Sequence, residues 1–202
     1  MNKFTYDQEQ AAQIGAGQYV TKSGGYDLKI VRAQFAKSQS NRSEALELDF
    51  ETREGLKCNY VSINHTKGDG NPNEYGGKLI QAIMGCIGIQ NLTEGQQGHC
   101  PELMNKGLKG VIQRVDYTKQ SGANAGQDGY KFDFKLPANI QTGKTVKETM
   151  SNSDATSFKQ YAESIVDKDE RQAHGSARQA TNNAVSNNAQ DNSIDFDDDI
   201  PF

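Results

Sequence analysis

Residues 46–51 read Leu-Glu-Leu-Asp-Phe-Glu, a strict alternation of apolar and acidic side chains. Successive side chains of a β-strand point to opposite faces, so this pattern predicts a strand with one buried and one solvent-facing side. The same alternation recurs at 26–30, 60–64 and 130–136, and a weaker run covers 111–117. The sequence therefore predicts a β-rich domain of five strands.

Two further segments have helical spacing. Leu79, Ile83 and Ile87 recur every four residues between the third and fourth strands, which predicts a buried helix. A second helix is predicted from Asp154, a residue type that favours the N-cap position, with an apolar stripe formed by Phe158, Tyr161 and Ile165. Five strands with a helix after the third is the element order of an OB-fold, a small, partly open Greek-key barrel that often binds single strands or oligosaccharides. Other small β-barrels with an inserted helix share this order, so the predicted fold class is mainly β and OB-fold-like.

The composition indicates that only part of the chain folds. Of its 202 residues, 34% are hydrophobic, which is low for a fully folded protein. Residues 172–192 are mostly Ala, Asn, Gln and Ser, and they cannot bury enough apolar surface to offset the entropy lost on ordering. The predicted regions are an N-terminal arm (1–24), the β domain (25–150), a helical segment (151–170), a disordered linker (171–194) and an acidic tip (195–202).

Composition and charge also exclude several classes of protein. No run approaches the ~20 apolar residues that a membrane-spanning helix needs. The N-terminus lacks the apolar segment of a signal peptide, and three cysteines at unrelated spacings do not suggest a disulfide framework, so a cytoplasmic location is predicted. The net charge is −4, and residues 171–202 carry two basic and five acidic side chains. Residues 1–170 are therefore close to neutral, and a polyanion would need a local basic patch.

The last eight residues, 195–202, read Asp-Phe-Asp-Asp-Asp-Ile-Pro-Phe and have the properties of a portable ligand. Pro201 restricts the backbone and lowers the entropy lost on docking, while Phe202 can enter an apolar pocket. The terminal carboxylate can pair with an arginine, and the aspartates can face a basic rim. The predicted protein-interaction residues are Asp195, Phe196, Asp197, Asp198, Asp199, Ile200, Pro201 and Phe202.

This octapeptide resembles the C-terminal tip of bacterial single-stranded-DNA-binding proteins (SSBs). The resemblance implies a disordered acidic tail that recruits replication, repair and recombination enzymes, and the Gln- and Asn-rich sequence before the tip resembles the linker of that family. The segments 26–33, 37–38 and 46–50 resemble, more loosely, single-strand binders encoded by phages and mobile elements. Together the resemblances imply a protein that coats single-stranded DNA in a bacterial cell or a phage-infected host, and they allow a homo-oligomer as well as a monomer.

Single-strand binders combine cations for the phosphates with aromatic faces for the bases. Tyr60 is the first stacking candidate because Val61 and Ile63 occupy the inward face of its strand, whereas Phe132 and Phe134 are assigned to the core. The stacking candidates, in order, are Tyr60, Tyr117 and Tyr26. The candidate cations are Lys29, Arg32, Lys37, Arg42, Lys57, Arg114, Lys119, Lys131 and Lys135.

Other chemistries have weaker support. A set made of Cys86, His99 and Cys100, with Cys58 or His65, lacks the Cys-x-x-Cys spacing typical of zinc sites. The glycine-rich segments do not complete a phosphate-binding motif, and no nucleophile–base pair stands out. We therefore predict no enzymatic activity, no cofactor and no metal. Two alternatives share the tip: a single-strand annealing or recombination-mediator protein, and an adaptor that displays the tip without binding DNA.

Overall fold

A computed structural model describes residues 5–6, 19–120 and 122–171, and this part of the chain is mainly β. Most of the predicted arm, the predicted linker after Arg171 and the whole tip lie outside the described residues. The strands are β1 (Gly24–Lys37), β2 (Glu44–Thr52), β3 (Lys57–Thr66), β4 (Gly107–Thr118), β5 (Asp128–Ala138) and β6 (Lys168–Glu170). The helices are α1 (Glu74–Ile87), α2 (Val146–Met150) and α3 (Ser157–Ser164), with short 3₁₀ turns at Gln96–Gly98 and Pro101–Leu103.

Five strands form one antiparallel sheet in the order β3-β2-β1-β4-β5, and β6 pairs in parallel with β4. Strand β1 is long enough to pair with two neighbours, through residues 28–37 with β2 and 24–29 with β4. A β-bulge between Ile30 and Arg32 bends it in the middle. The two end strands, β3 and β5, approach within 8 Å between Cα atoms, but the described residues form no backbone ladder between them. The sheet is therefore open.

The predicted alternation is confirmed on the inner face of the sheet. The three apolar side chains of the 46–51 run are completely buried, and apolar side chains of β3 and β5 belong to the same cluster. Phe50 and Phe134 stack across the interior with their ring centroids 5.6 Å apart. Phe132 belongs to this cluster too, so the predicted core positions of Phe132 and Phe134 are confirmed.

The predicted buried helix is α1, which packs against β3 and β5. Asn73 caps its N-terminus, because the Asn73 side chain accepts a hydrogen bond from the Gly76 backbone N–H. Leu79 and Ile83 are buried, as predicted. Gly76 lies directly against β3: a Cβ atom at this position would be 1.8 Å from the Asn64 carbonyl oxygen. The first turn of the helix thus touches the strand backbone, and only glycine permits this approach.

The second predicted helix begins later than expected, and the prediction for Asp154 is wrong. Helix α3 begins at Ser157, and Thr156 occupies the N-cap position. The Thr156 side chain does not form the usual capping hydrogen bond. The reason is Glu148 of α2, whose carboxylate accepts hydrogen bonds from the N–H groups of Thr156 and Ser157, both at 2.8 Å. The Glu148 carboxylate of the preceding helix therefore caps the N-terminus of α3 in place of Asp154.

Residues 151–171 belong to the same compact unit as the sheet, and 168–170, predicted as helix, form β6. Helix α3 lies against the face opposite the core, where Gly25 leaves room for it: a Cβ atom at Gly25 would be 2.7 Å from the Ala162 Cβ. At the other end, Val20 of the predicted arm is completely buried, and its N–H donates to the Lys57 carbonyl at 2.9 Å. The folded unit is thus longer at both ends than the predicted range 25–150.

Candidate nucleic-acid interface

The face of β1, β2 and β3 that points away from the core, the β1–β3 outer face, carries three of the predicted cations. Directly opposite residues in neighbouring strands share a face. Lys29 lies opposite Glu51, which lies opposite Lys57. Further along the strands, Arg32 lies opposite Asp49. Strand β2 therefore places acidic side chains between the cations of β1 and β3.

Tyr60 lies on the β1–β3 outer face in a β-bulge. The single residue Asp49 of β2 faces both Asn59 and Tyr60 of β3. Tyr60 adopts a left-handed backbone conformation with a φ of 60°, which is uncommon for any residue other than glycine. The Asp49 carboxylate accepts a hydrogen bond from the Tyr60 N–H at 2.7 Å and so stabilises the bulge. Tyr60 is 76% exposed, which confirms the predicted outward position of its ring.

Arg32 is held beside Tyr60 by two acidic side chains. Its guanidinium donates to Asp49 at 2.7 and 3.2 Å and to Glu47 at 3.3 Å. The hydrogen bond to Asp49 raises the pKa of Arg32. The Arg32 Cζ lies 5.6 Å from the centre of the Tyr60 ring, within the range of a cation–π contact. Asp49 thus holds both the backbone of Tyr60 and the guanidinium beside its ring, and the carboxylates of Asp49 and Glu47 balance the charge of Arg32.

Three more of the predicted cations also have carboxylate partners. Lys37 lies 3.4 Å from Glu44 across the β1–β2 hairpin. The Asp133 carboxylate pairs with two lysines: its Oδ1 lies 3.6 Å from the Lys131 Nζ, and its Oδ2 lies 3.2 Å from the Lys135 Nζ. The phosphate-binding role predicted for these lysines would require each of them to exchange its present partner.

Four of the predicted cations, Lys29, Arg42, Lys57 and Lys119, form no ion pair within 4 Å among the described residues. Lys29 and Lys57 are exposed on the β1–β3 outer face, and Arg42 is exposed in the β1–β2 turn. Lys119 follows β4, at the start of the β4–β5 turn. These four positions are the strongest candidates for contacts with phosphates.

The other two predicted stacking residues are less accessible than Tyr60. Tyr26 packs against the core, and its hydroxyl donates to the Lys22 carbonyl at 2.7 Å. Burial raises the pKa of Tyr26. Tyr117 is half-buried opposite Gly129 of β5. Of the three, Tyr60 presents the most exposed ring.

A second exposed aromatic–arginine pair lies near the β4–β5 turn and includes Tyr130, which is not among the predicted stacking residues. Tyr130 is 48% exposed, and the Arg114 Cζ lies 4.5 Å from the centre of its ring. Arg114 also donates to Asp116 at 2.8 Å and to the Thr21 carbonyl at 2.9 Å. Tyr130 alternates with Phe132, so its side chain lies on the same face of β5 as that buried residue. Tyr130 lies near the start of β5, however, where the core does not cover this face, and its ring is therefore half exposed.

The cysteines do not combine into a metal centre. Among the described residues, no group of three or more His, Cys, Asp or Glu side chains is placed to hold a metal ion. Cys58, Cys86 and Cys100 are buried and unpaired with each other. Burial raises the pKa of Cys58 to about 12 and those of Cys86 and Cys100 to about 11, so these thiols are protonated at neutral pH.

No protein-family model matches the chain, and no curated protein matches its sequence. None of the helices in the described ranges is long and apolar enough to cross a membrane. What the protein does must therefore be inferred from its own residues and their geometry.

Proposed function

We propose that this protein binds single-stranded DNA through an OB-fold-like β domain and recruits DNA-processing enzymes through its C-terminal tip. The strand order supports the fold, because β3-β2-β1-β4-β5 is the order expected of an OB barrel opened between β3 and β5. Helix α1 follows β3 along the chain, where the inserted helix is expected. OB-folds bind oligonucleotides on the face of their second and third strands, with help from the loops after the first and fourth.

The observation that carries the proposal is the position of Tyr60. It is the most exposed aromatic side chain on the β1–β3 outer face, and it belongs to the third strand, where the OB-fold binding face is expected. Stacking of one base on an aromatic ring is worth roughly 1–3 kcal/mol and tolerates every base. Asp49 and Arg32 restrain the position of Tyr60 in advance, so less conformational entropy is lost when a base stacks on it.

A titration of fluorescein-labelled oligo-dT with the full chain, followed by anisotropy at several salt concentrations, tests this function. If Lys29, Arg42, Lys57 and Lys119 each contact one phosphate, log K against log salt should have a slope of about −3, since each single-strand phosphate contributes about −0.7. A duplex of equal length should bind more weakly, because its bases are not free to stack. Failure to bind oligo-dT even at the lowest salt concentration would refute the proposal.

Replacing Tyr60 by alanine should weaken oligo-dT binding between about fivefold and about 150-fold, which corresponds to the loss of one stacked base. Tyr60→Phe keeps the ring and should bind nearly as well as the wild type. Tyr60→Gly removes the ring but suits the left-handed backbone, so it separates loss of stacking from backbone strain. Tyr161→Ala, which removes a tyrosine from α3, is the matched control. Equal affinities of Tyr60→Ala, Tyr60→Gly and wild type would show that Tyr60 is not a stacking residue.

The recruiting half of the proposal depends on residues 195–202, which lie outside the described residues, and on their resemblance to the SSB tip. The partners expected there are replication, repair and recombination enzymes. The acidic side chains of β2 support a second candidate, an adaptor that displays the tip without binding DNA, because Glu47, Asp49 and Glu51 all lie on the β1–β3 outer face. The oligo-dT titration separates the two candidates, since an adaptor would show no affinity at any salt concentration.

A further inference from the structure

Arg114 and Tyr130 form a fixed unit on the surface, which we call the Arg114–Tyr130 pair. The Arg114 guanidinium lies 4.5 Å from the centre of the Tyr130 ring, and Phe132 contacts the same ring edge-on at 5.6 Å between centroids. Hydrogen bonds to Asp116 and to the Thr21 carbonyl hold the guanidinium in place. The ring is thus supported by its neighbours, while 48% of Tyr130 is exposed to solvent.

The pair has the same construction as Arg32 and Tyr60. In both cases an arginine lies beside an exposed tyrosine ring, and an aspartate hydrogen-bonds the guanidinium. The two units lie on different strands, one on β1–β3 and the other on β4–β5. A base that stacks on either ring meets an aromatic surface that is already in place, so little side-chain entropy is lost on binding.

The charges around the Arg114–Tyr130 pair do not favour a phosphate. A surface cleft of about 190 Å³ there is lined by Arg114, Asp116, Asp128, Gly129, Tyr130 and Arg171. Asp116 is paired with Arg114, and Arg171 lies 3.9 Å from Asp128 and also contacts Asp169. Two carboxylates and two guanidinium groups line the cleft, and Asp169 is a further carboxylate partner of Arg171, so the cleft has no excess positive charge. The group that this surface suits is therefore the flat face of a base and not its phosphate.

We propose that the Arg114–Tyr130 pair is a second stacking site, which takes a nucleobase from the same single strand that stacks on Tyr60. This inference rests on the proposed function, because it presumes that the chain binds single-stranded DNA. It assigns to the strand a path that reaches from β3 to the start of β5. An aromatic ring accepts every base, so the second site should show little sequence preference.

The test compares wild type, Tyr130→Ala and Tyr130→Phe on a series of oligo-dT lengths, from a few nucleotides up to the ~16 that an OB-fold can cover. Short oligonucleotides that occupy only Tyr60 should bind wild type and Tyr130→Ala equally. Oligonucleotides long enough to reach both rings should bind Tyr130→Ala between about fivefold and about 150-fold more weakly, with Tyr130→Phe close to wild type. The salt dependence of Tyr130→Ala should equal that of wild type, because no phosphate contact is lost.

A measurement on the wild type keeps the proposal testable if Tyr130→Ala does not fold. Photo-crosslinking of a bromodeoxyuridine-substituted oligonucleotide to the wild type should give adducts on two peptides, one that contains Tyr60 and one that contains Tyr130. Adducts confined to the Tyr60 peptide, together with equal affinities of wild type and Tyr130→Ala at every length, would overturn the second site and leave the proposed function intact. Absence of any wild-type binding to oligo-dT would overturn both.

Discussion

Replacing Gly76 by alanine should lower the free energy of unfolding by about 3 kcal/mol, whereas the same change at the adjacent Gly77 should raise it by about 0.5–1 kcal/mol. Both glycines lie in the first turn of α1. A Cβ at Gly76 would lie 1.8 Å from the Asn64 carbonyl oxygen and 2.7 Å from its carbonyl carbon, so the helix or the strand must move. A Cβ at Gly77 would meet no atom within 4 Å, and there alanine only restricts the unfolded chain.

Urea unfolding of the two variants and the wild type, followed by circular dichroism, measures both changes. The pair is well matched because the two positions are neighbours in one helix and differ only in what a methyl group would touch. Equal stability of Gly76→Ala and Gly77→Ala would show that α1 does not lie against β3 as described.

Replacing Glu148 by glutamine should lower the free energy of unfolding at neutral pH by about 3 kcal/mol, because its carboxylate serves two helices at once. One oxygen accepts from the N–H and hydroxyl of Thr145 at 2.8 and 2.9 Å, and the other accepts from the N–H groups of Thr156 and Ser157. An amide has one acceptor oxygen and would turn its NH₂ group toward one of these pairs of donors. Glu163→Gln, at an exposed position on α3, is the control and should change stability by less than about 0.5 kcal/mol.

The effect of Glu148→Gln should depend on pH in a defined direction. Burial alone would raise the pKa of Glu148, but the hydrogen bonds from Ser157, Thr145 and Thr156 outweigh it and lower the pKa from 4.5 to about 2. A carboxylate with a lowered pKa contributes its full stability above its unfolded value, and this contribution is lost as the pH falls through the folded value. The difference in stability between wild type and Glu148→Gln should therefore be constant above about pH 5 and shrink between about pH 4.5 and pH 2. A difference that stays constant across this range would contradict the assignment.

The strands were predictable because each depends on a local pattern. The alternation at 46–51 marks the buried face of β2, and the apolar neighbours Val61 and Ile63 place Tyr60 outside. The bulge at Tyr60 is also visible in the spacing of apolar residues in the sequence. The buried residues Cys58 and Val61 are three positions apart where a regular strand would have them two apart, which indicates one extra residue in the strand.

The pairing of charges was not predictable, because it depends on how strands align with each other. Arg32 reads as a free cation in the sequence, but the β1–β2 register places it opposite Asp49. The β4–β5 register in the same way places Arg114 and Tyr130 on one face. Alternation states which side of a strand a residue occupies and contains no information about its neighbour across the ladder.

The cap of α3 was predictable only in part. Asp154 was a reasonable candidate from its residue type, but the structure uses Glu148, which lies eight residues before Thr156. Thr145 and Glu148 also form a capping box at the start of α2, which the spacing Thr-x-x-Glu indicates in the sequence itself. The same carboxylate also caps α3, and this second role was not predictable because it depends on the fold of the segment between the two helices.

The three buried cysteines make the protein convenient for dye labelling. Maleimide reagents react with the thiolate, and a buried thiol with a pKa of about 11 or 12 supplies very little of it at neutral pH. A cysteine introduced at an exposed position outside the β1–β3 outer face, such as Ser153 after α2, will therefore take up a fluorophore while the native three remain unmodified. The labelled chain allows the proposed binding to DNA to be followed by single-molecule fluorescence without first building a cysteine-free variant.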